Sequence, residues 1–133
     1  MYELEIKTSE RTQSLDITNH LEKKIQEIGL KEGAVLLYFP HTTAAITINE
    51  NADPDVQRDL LHALDRLVPR NGTYRHTEGN ADAHIKTSLI GSSLIVPVQA
   101  GRLKLGTWQG VLVLEFDGPR TRRLWVRPLD SAL

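Results

Sequence analysis

Over the first residues of the chain Tyr2, Leu4 and Ile6 alternate with Glu3, Glu5 and Lys7. A period of two is the mark of a strand with one buried face. The polar SERTQ segment then turns the chain toward a short second strand near Gln13 to Asp16. From Ile17 the period lengthens. Ile17, Leu21, Ile25 and Ile28 recur at helical spacing, with Asp16 or Thr18 as candidate caps and Gly29 where a helix C-terminal glycine is expected. Residues 34–39, AVLLYF, form a continuous apolar run of strand formers that stops at Pro40, and TTAAITIN supplies another β-rich segment. Asp53-Pro54 reads as a helix start, because aspartate can cap and proline fits the first helical position. Val56, Leu60, Leu61, Leu64 and Leu67 keep to one face until Pro69. A third helix is predicted from Ala81 or Asp82 to Ile90, with Ile85 and Leu89 one turn apart and Gly91 at its end. The remainder, SLIVPVQ, KLGTWQ, VLVLEFD and RRLWVRP, reads as antiparallel strands separated by AGR, QG and DGPR turns. Pro97 within the first of these marks an edge or a bulge.

The pattern predicts an α+β fold in a single domain, residues 1–133, with about eight mostly antiparallel strands and two or three helices packed on one face. No internal repeat or linker divides it. A chain of 133 residues buries roughly two-thirds of its unfolded surface. Composition agrees: 40% hydrophobic and 25% charged residues place it among globular proteins. The balance of 16 basic and 17 acidic residues, net charge −1, lacks the basic surface that non-specific nucleic-acid binding needs. Arg120, Arg122, Arg123 and Arg127 cluster near the end, and their plainest reading is a solvated strand edge. The absence of cysteine excludes disulfides and thiolate chemistry. The start, MYELEIKTSERTQ, has no apolar core and is not expected to be a signal peptide. No run approaches the roughly 18 apolar residues of a membrane helix. A cytoplasmic protein without nucleic-acid or membrane partners is expected.

Two of the five histidines bracket HTEGNADAH, residues 76–84. If the third helix starts near Asp82, its unpaired N–H groups and positive dipole end face this loop and favour a phosphate or carboxylate. His76 can then fold back toward His84, and His41, after a buried strand and a proline, can join them. Three neutral imidazoles with an open position form a zinc or other transition-metal site, with Glu78, Asn80 and Asp82 as supporting or acid–base groups. The competing reading of FPHTTAAITINEN is a turn held by local hydrogen bonds, with the hydroxyls of Thr42 and Thr43 nearby. His20 and His62 lie within helices and read as surface or packing residues. A second candidate wall is LGTWQGVLVLEFDGPR. Trp108 could stack on a flat ring, and Gln109 offers a donor and an acceptor. Glu115 is either solvated or buried and paired. Arg120 is the best-placed anion ligand of this segment.

Together HTTAAITINENADPDV, HTEGNADAHIKTSLIGSS and GRLKLGTWQGVLVLEFDGPR resemble the small-protein family named for secondary thiamine-phosphate synthase activity, from about Pro40 to Arg123. The resemblance implies a compact α+β homotrimer with His41, His76 and His84 in a polar pocket that holds a metal. It implies a C-terminal signature at Trp108-Gln109 and at Glu115 to Gly118. It further implies a transferase joining hydroxymethylpyrimidine diphosphate to a thiazole phosphate with release of pyrophosphate, magnesium assisting the diphosphate. In that reaction Glu78, Asp82 and Glu115 are the candidate catalytic carboxylates, while Thr42, Thr43, Asn80, Trp108, Gln109 and Arg120 contact substrate. Two alternatives are a metal-dependent hydrolase using the three histidines and a non-enzymatic trimeric binding protein for a metal or a small phosphorylated metabolite.

Overall fold

The computed structural model describes residues 1–130. In chain order the elements are β1 (Tyr2–Lys7), β2 (Gln13–Asp16), α1 (Thr18–Ile28), β3 (Gly33–Tyr38), β4 (Ala44–Glu50), α2 (Pro54–Leu67), α3 (Ala81–Ile90), β5 (Ser93–Gln99), β6 (Arg102–Leu103), β7 (Gln109–Glu115) and β8 (Thr121–Asp130). Five strands form one sheet in the order β1-β8-β3-β5-β6, and three form a second in the order β2-β7-β4. Every pairing is antiparallel. This is the α+β fold that the hydrophobic pattern predicts.

The two sheets face each other across the main core. Val35, Leu37, Val96, Val98, Leu124 and Val126 of the larger sheet meet Ala44, Ile46, Val111 and Val113 of the smaller one, and Leu21 and Ile25 of α1 join them. The other face of the small sheet presents Ala45, Leu112 and Leu114 to Leu60, Leu61 and Leu64 of α2 and to Ala83 and Ile90 of α3. Central β7 is therefore covered on both sides and buried from Gly110 to Glu115, which explains its unbroken apolar sequence.

The ends of the helices follow from local chemistry. Asp16 Oδ1 accepts from both the amide and the hydroxyl of Thr18 before α1, and Gly29 closes that helix at φ +81°. Asp53 accepts from the Asp55 amide ahead of Pro54, as a capping aspartate does. Leu67, assigned by period to the buried face of α2, is 70% exposed because the helix ends there. Helix α3 starts at Ala81, so Asp82 lies inside its first turn instead of capping it.

KLGTWQ is not a strand. The Gln109 amide bonds the Gly106 carbonyl, and the Gln109 side chain returns to the Gly106 amide at 2.8 Å. The segment is thus a turn feeding β7, and β6 is only Arg102–Leu103. Among the described residues no helix is long and apolar enough to cross a membrane.

Candidate functional site

Strand β3 hands the chain to the site at Pro40. The β3–β8 register pairs Tyr38 with Trp125, so its continuation sets Pro40 opposite Arg123. Proline has no N–H to contribute to that rung. The imidazole of His41 meets the same residue from its side chain: Nε2 accepts from the Arg123 amide at 2.9 Å, nearer than the Arg123 carbonyl at 3.2 Å, and so satisfies the Arg123 N–H and not the carbonyl that the proline leaves without a donor. Nδ1 then carries the ring proton. Burial, followed by the positive charge of nearby Arg122, holds His41 below the usual imidazole range and keeps it neutral at pH 7.

His41 and His84 share a cavity of about 290 Å³, completed by Thr42, Thr87, Ser88, Gly91 and Ser92. Its side chains are imidazoles and hydroxyls, with no carboxylate. Ser88 donates to the His84 carbonyl. Thr87 differs from its neighbours. It is buried, and its Oγ1 is the one buried side-chain polar atom without a hydrogen-bond partner among the described residues. A neighbouring groove of about 400 Å³ shares His41, Thr42 and Ser92 and continues over Tyr38, Phe39 and Trp125. Tyr38 and Trp125 stack with ring centroids 5.6 Å apart.

His76 lies on the other side of His84, its ring edge-on at a centroid distance of 5.1 Å. The two line a second cavity of about 360 Å³ with Tyr74, Arg75, Ala81 and Ile85. His84 therefore bridges two hollows, and the three histidines do not converge on one point within a single chain. Among the described residues no group of three or more His, Cys, Asp or Glu side chains is set to hold a metal ion. With Nε2 engaged by Arg123, a metal would meet His41 at Nδ1.

The candidate carboxylates separate. Glu78 is exposed, with Oε2 3.6 Å from His76 Nε2. Asp82 is fully buried and bonds Arg11 at 3.2 Å and Lys86 at 3.1 Å; Lys86, also buried, reaches Asp65 at 2.5 Å. Glu115 faces the interior, where Arg122, Thr8 and the Asp117 amide occupy both its oxygens. Thr43 belongs to the same knot, its Oγ1 accepting from Arg122 at 2.9 Å. Asn80 and Arg120 meet at Asp117, 2.9 and 2.8 Å from its Oδ2. Trp108 and Gln109 stand at the opposite end of β7, about 20 Å away along the strand, and Trp108 is 64% exposed. His20 and His62 are exposed, as read.

Sequence reasoning missed Arg11, Lys86, Thr87, Ser92 and the Tyr38–Trp125 stack. Lys86 lies one turn from Asp82, a spacing that could have suggested the pair. Nothing local marks Arg11, which is 71 residues from Asp82.

Asp82, Glu115 and Asp117 share an electrostatic signature. Burial acts to raise all three, but hydrogen bonds outweigh it: from Lys86 and Arg11 to Asp82, from Arg122, the Asp117 amide and Thr8 to Glu115, and from Asn80 and Arg120 to Asp117. All three end below the usual carboxylate range. The unfolded chain therefore takes up protons at a higher pH than the native one, and stability falls with pH in acid. We expect the urea midpoint to be steady above about pH 5 and to drop from about pH 4 downward, with Asp82→Asn reducing the slope. A midpoint flat from pH 7 to pH 3 would contradict the assignment.

The family model described as UPF0047 protein YjbQ-like matches residues 2–131. The UPF0047 protein YugU of Bacillus subtilis is 53% identical over 93% of this chain and 95% of its own. The UPF0047 protein MJ1081 of Methanocaldococcus jannaschii is 47% identical over 96% and 92%. Among solved structures, an uncharacterised conserved protein of the YjbQ/UPF0047 family from Clostridium acetobutylicum superposes with TM-score 0.92 at 53% identity, over 96% of this chain and 98% of the other. A hypothetical protein from Aeropyrum pernix gives TM-score 0.92 at 38% identity, over 98% of each. None of these descriptions carries a thiamine-phosphate synthase designation. The expected membership of that family is corrected accordingly, and the thiamine-phosphate-forming transferase reading falls with it.

Proposed function

The chain belongs to the UPF0047 YjbQ-like family, and from that premise and the geometry of the His41–His84 cavity we propose that it binds a small phosphorylated metabolite. The observation that carries the reading is Thr87, which lines the cavity and whose buried Oγ1 has no partner among the described residues. A buried polar atom left unmade costs about 1–3 kcal/mol, and a ligand oxygen would recover it. Thr42, Ser88 and Ser92 add hydroxyls around the same space, and the neutral His41 presents a ring N–H. No lining carboxylate repels an anion. The groove over Tyr38 and Trp125 gives the organic part of such a ligand an aromatic surface.

Assembly as a homotrimer belongs to the same reading. The outward face of the larger sheet exposes Tyr38, Ile95, Trp125 and Leu129, and a second copy laid there would close the groove from above. The divalent metal expected at His41, His76 and His84 takes a narrower form. His76 and His84 are in ring contact and His41 meets His84 only across their shared cavity, so further donors would come from the ligand or from another subunit.

The test uses Thr87→Val, which removes the hydroxyl at nearly constant shape. Because Oγ1 has no partner among the described residues, the variant should be no less stable than the wild type and should gain up to about 1–3 kcal/mol. Calorimetric titration with inorganic phosphate and a panel of sugar, nucleoside and heterocyclic phosphates should find a ligand whose affinity falls about tenfold in the variant. Repeating it with a chelator reports whether a metal takes part. Equal affinity in both proteins, or no binding across the panel, would refute the proposal.

A further inference from the structure

Asn80 occupies the N-cap position of α3, where an asparagine side chain ordinarily accepts from an amide of the first turn. Here it makes no such bond. Its Nδ2 donates to Asp117 Oδ2 at 2.9 Å, and its Oδ1 lies 2.9 Å from His76 Nε2. Asp117 Oδ2 also accepts from Arg120 Nη2 at 2.8 Å. That oxygen therefore acts as an acceptor toward both donors. Burial opposes the charge of the carboxylate, but the bonds from Asn80 and Arg120 outweigh it and hold Asp117 below the usual range.

The consequence propagates in one direction. A carboxylate acceptor fixes the Asn80 amide with its NH₂ toward Asp117, so its oxygen faces His76. An oxygen facing Nε2 requires that nitrogen to carry a proton. Glu78 agrees independently, its carboxylate also lying on the Nε2 side at 3.6 Å. The polar contacts of the ring thus both use Nε2, and Nδ1 keeps its lone pair. His41 has the opposite polarity, its Nε2 accepting from the Arg123 amide.

We infer that Asp117 is a positioning residue which, through Asn80, holds His76 as the Nε2–H tautomer, so that His76 meets a ligand as an acceptor through Nδ1 while His41 meets it as a donor. His76 lines the cavity it shares with His84, and the pair of tautomers gives the two hollows different hydrogen-bonding sense. A ligand spanning them needs an acceptor toward His41 and a donor toward His76, as a phosphate monoester bearing an amino or hydroxyl group provides. The tautomer assignment stands apart from whether such a ligand binds, because it is read on the free protein.

Long-range proton–nitrogen correlation spectra of the imidazoles at pH 8 report which ring nitrogen is protonated. Wild-type protein should show His76 as a single Nε2–H form. In Asp117→Asn the Asn80 amide faces another amide and is free to turn, and the Nδ1–H form of His76 should rise to a resolved population. The exchanged pair Asn80→Asp with Asp117→Asn restores a carboxylate acceptor toward His76 and should return the ring to the Nε2–H form. Glu78→Gln should leave the tautomer unchanged. An Nδ1–H or mixed His76 in the wild type overturns the inference whatever the variants do. So does an unchanged tautomer in folded Asp117→Asn, or a shift produced by Glu78→Gln alone.

Discussion

Truncating Glu115 to alanine is expected to lower the free energy of unfolding by about 3–5 kcal/mol, the range for breaking a buried ion pair from one side. The carboxylate has no solvent exposure and Arg122 is 4% exposed. Arg122 Nε donates to Oε1 at 2.9 Å and Nη2 to Oε2, a bidentate clasp. Thr8 Oγ1 at 2.8 Å and the Asp117 amide at 3.1 Å take the remaining lone pairs. Removing the carboxylate leaves a guanidinium in the interior with Thr43 as its one other hydrogen-bond partner among the described residues. A domain of this kind has about 5–15 kcal/mol in total, so a third or more would go. The urea midpoint should fall with little change in slope. Replacing both partners, Glu115→Leu with Arg122→Met, should recover most of the loss, since an apolar pair carries no stranded charge. A loss below about 1 kcal/mol in the single variant would mean that water reaches the pair.

Gly118→Ala should be nearly as costly, at about 3 kcal/mol, for a steric reason. A Cβ at this position would lie 2.2 Å from the Glu10 carbonyl oxygen, 2.8 Å from Thr8 Oγ1 and 2.9 Å from Glu115 Cγ. The nearest obstacle is backbone and cannot rotate away. The Gly118 amide also donates to the Arg11 carbonyl at 3.0 Å, so moving the segment to admit a methyl group breaks that bond. Arg11 is the residue that reaches Asp82, and the disturbance would pass to the start of α3. Gly79→Ala serves as the comparison. It has open space around it and a φ of +81°, and its cost should be the left-handed backbone penalty alone, about 1 kcal/mol. Thermal unfolding of the two variants checks the order, and equal shifts would sink the steric account.

Period and punctuation carried most of the architecture. The three helices end where Gly29, Pro69 and Gly91 suggest, and the apolar runs became the facing sides of two sheets. KLGTWQ misled because a tight turn and a strand draw on similar residues there, and only the Gln109–Gly106 bond separates them. In the site, the neighbourhood of His84 with both His41 and His76 was legible from the motifs. What each polar side chain faces was not. Periodicity assigns a residue to a face without naming its partner, and the partners that matter are remote: Thr8 is 107 residues from Glu115, and Asn80 is 37 from Asp117. Asp82 illustrates the cost of local reasoning. Its type and position suit a helix cap, yet Arg11 and Lys86 draw it inward, and Asn80 stands at the cap with its side chain committed elsewhere. Thr87 carries no sequence signal at all, because an unsatisfied hydroxyl is a property of surroundings and not of residue type.

The side-chain rung that His41 supplies opposite Arg123 works as a latch. While Nε2 fastens the end of β8, the ring can only offer its Nδ1–H, so a ligand oxygen can be received without loosening the sheet. An electron-pair acceptor such as a metal ion meets a different obstacle. Binding at Nδ1 moves the ring proton to Nε2, which exchanges the bond from the Arg123 amide for one to the Arg123 carbonyl 3.2 Å away. The seat of Nε2 against the Arg123 backbone thus leaves Nδ1 as the one nitrogen through which this histidine meets a ligand, whichever of the two backbone groups it is bonded to.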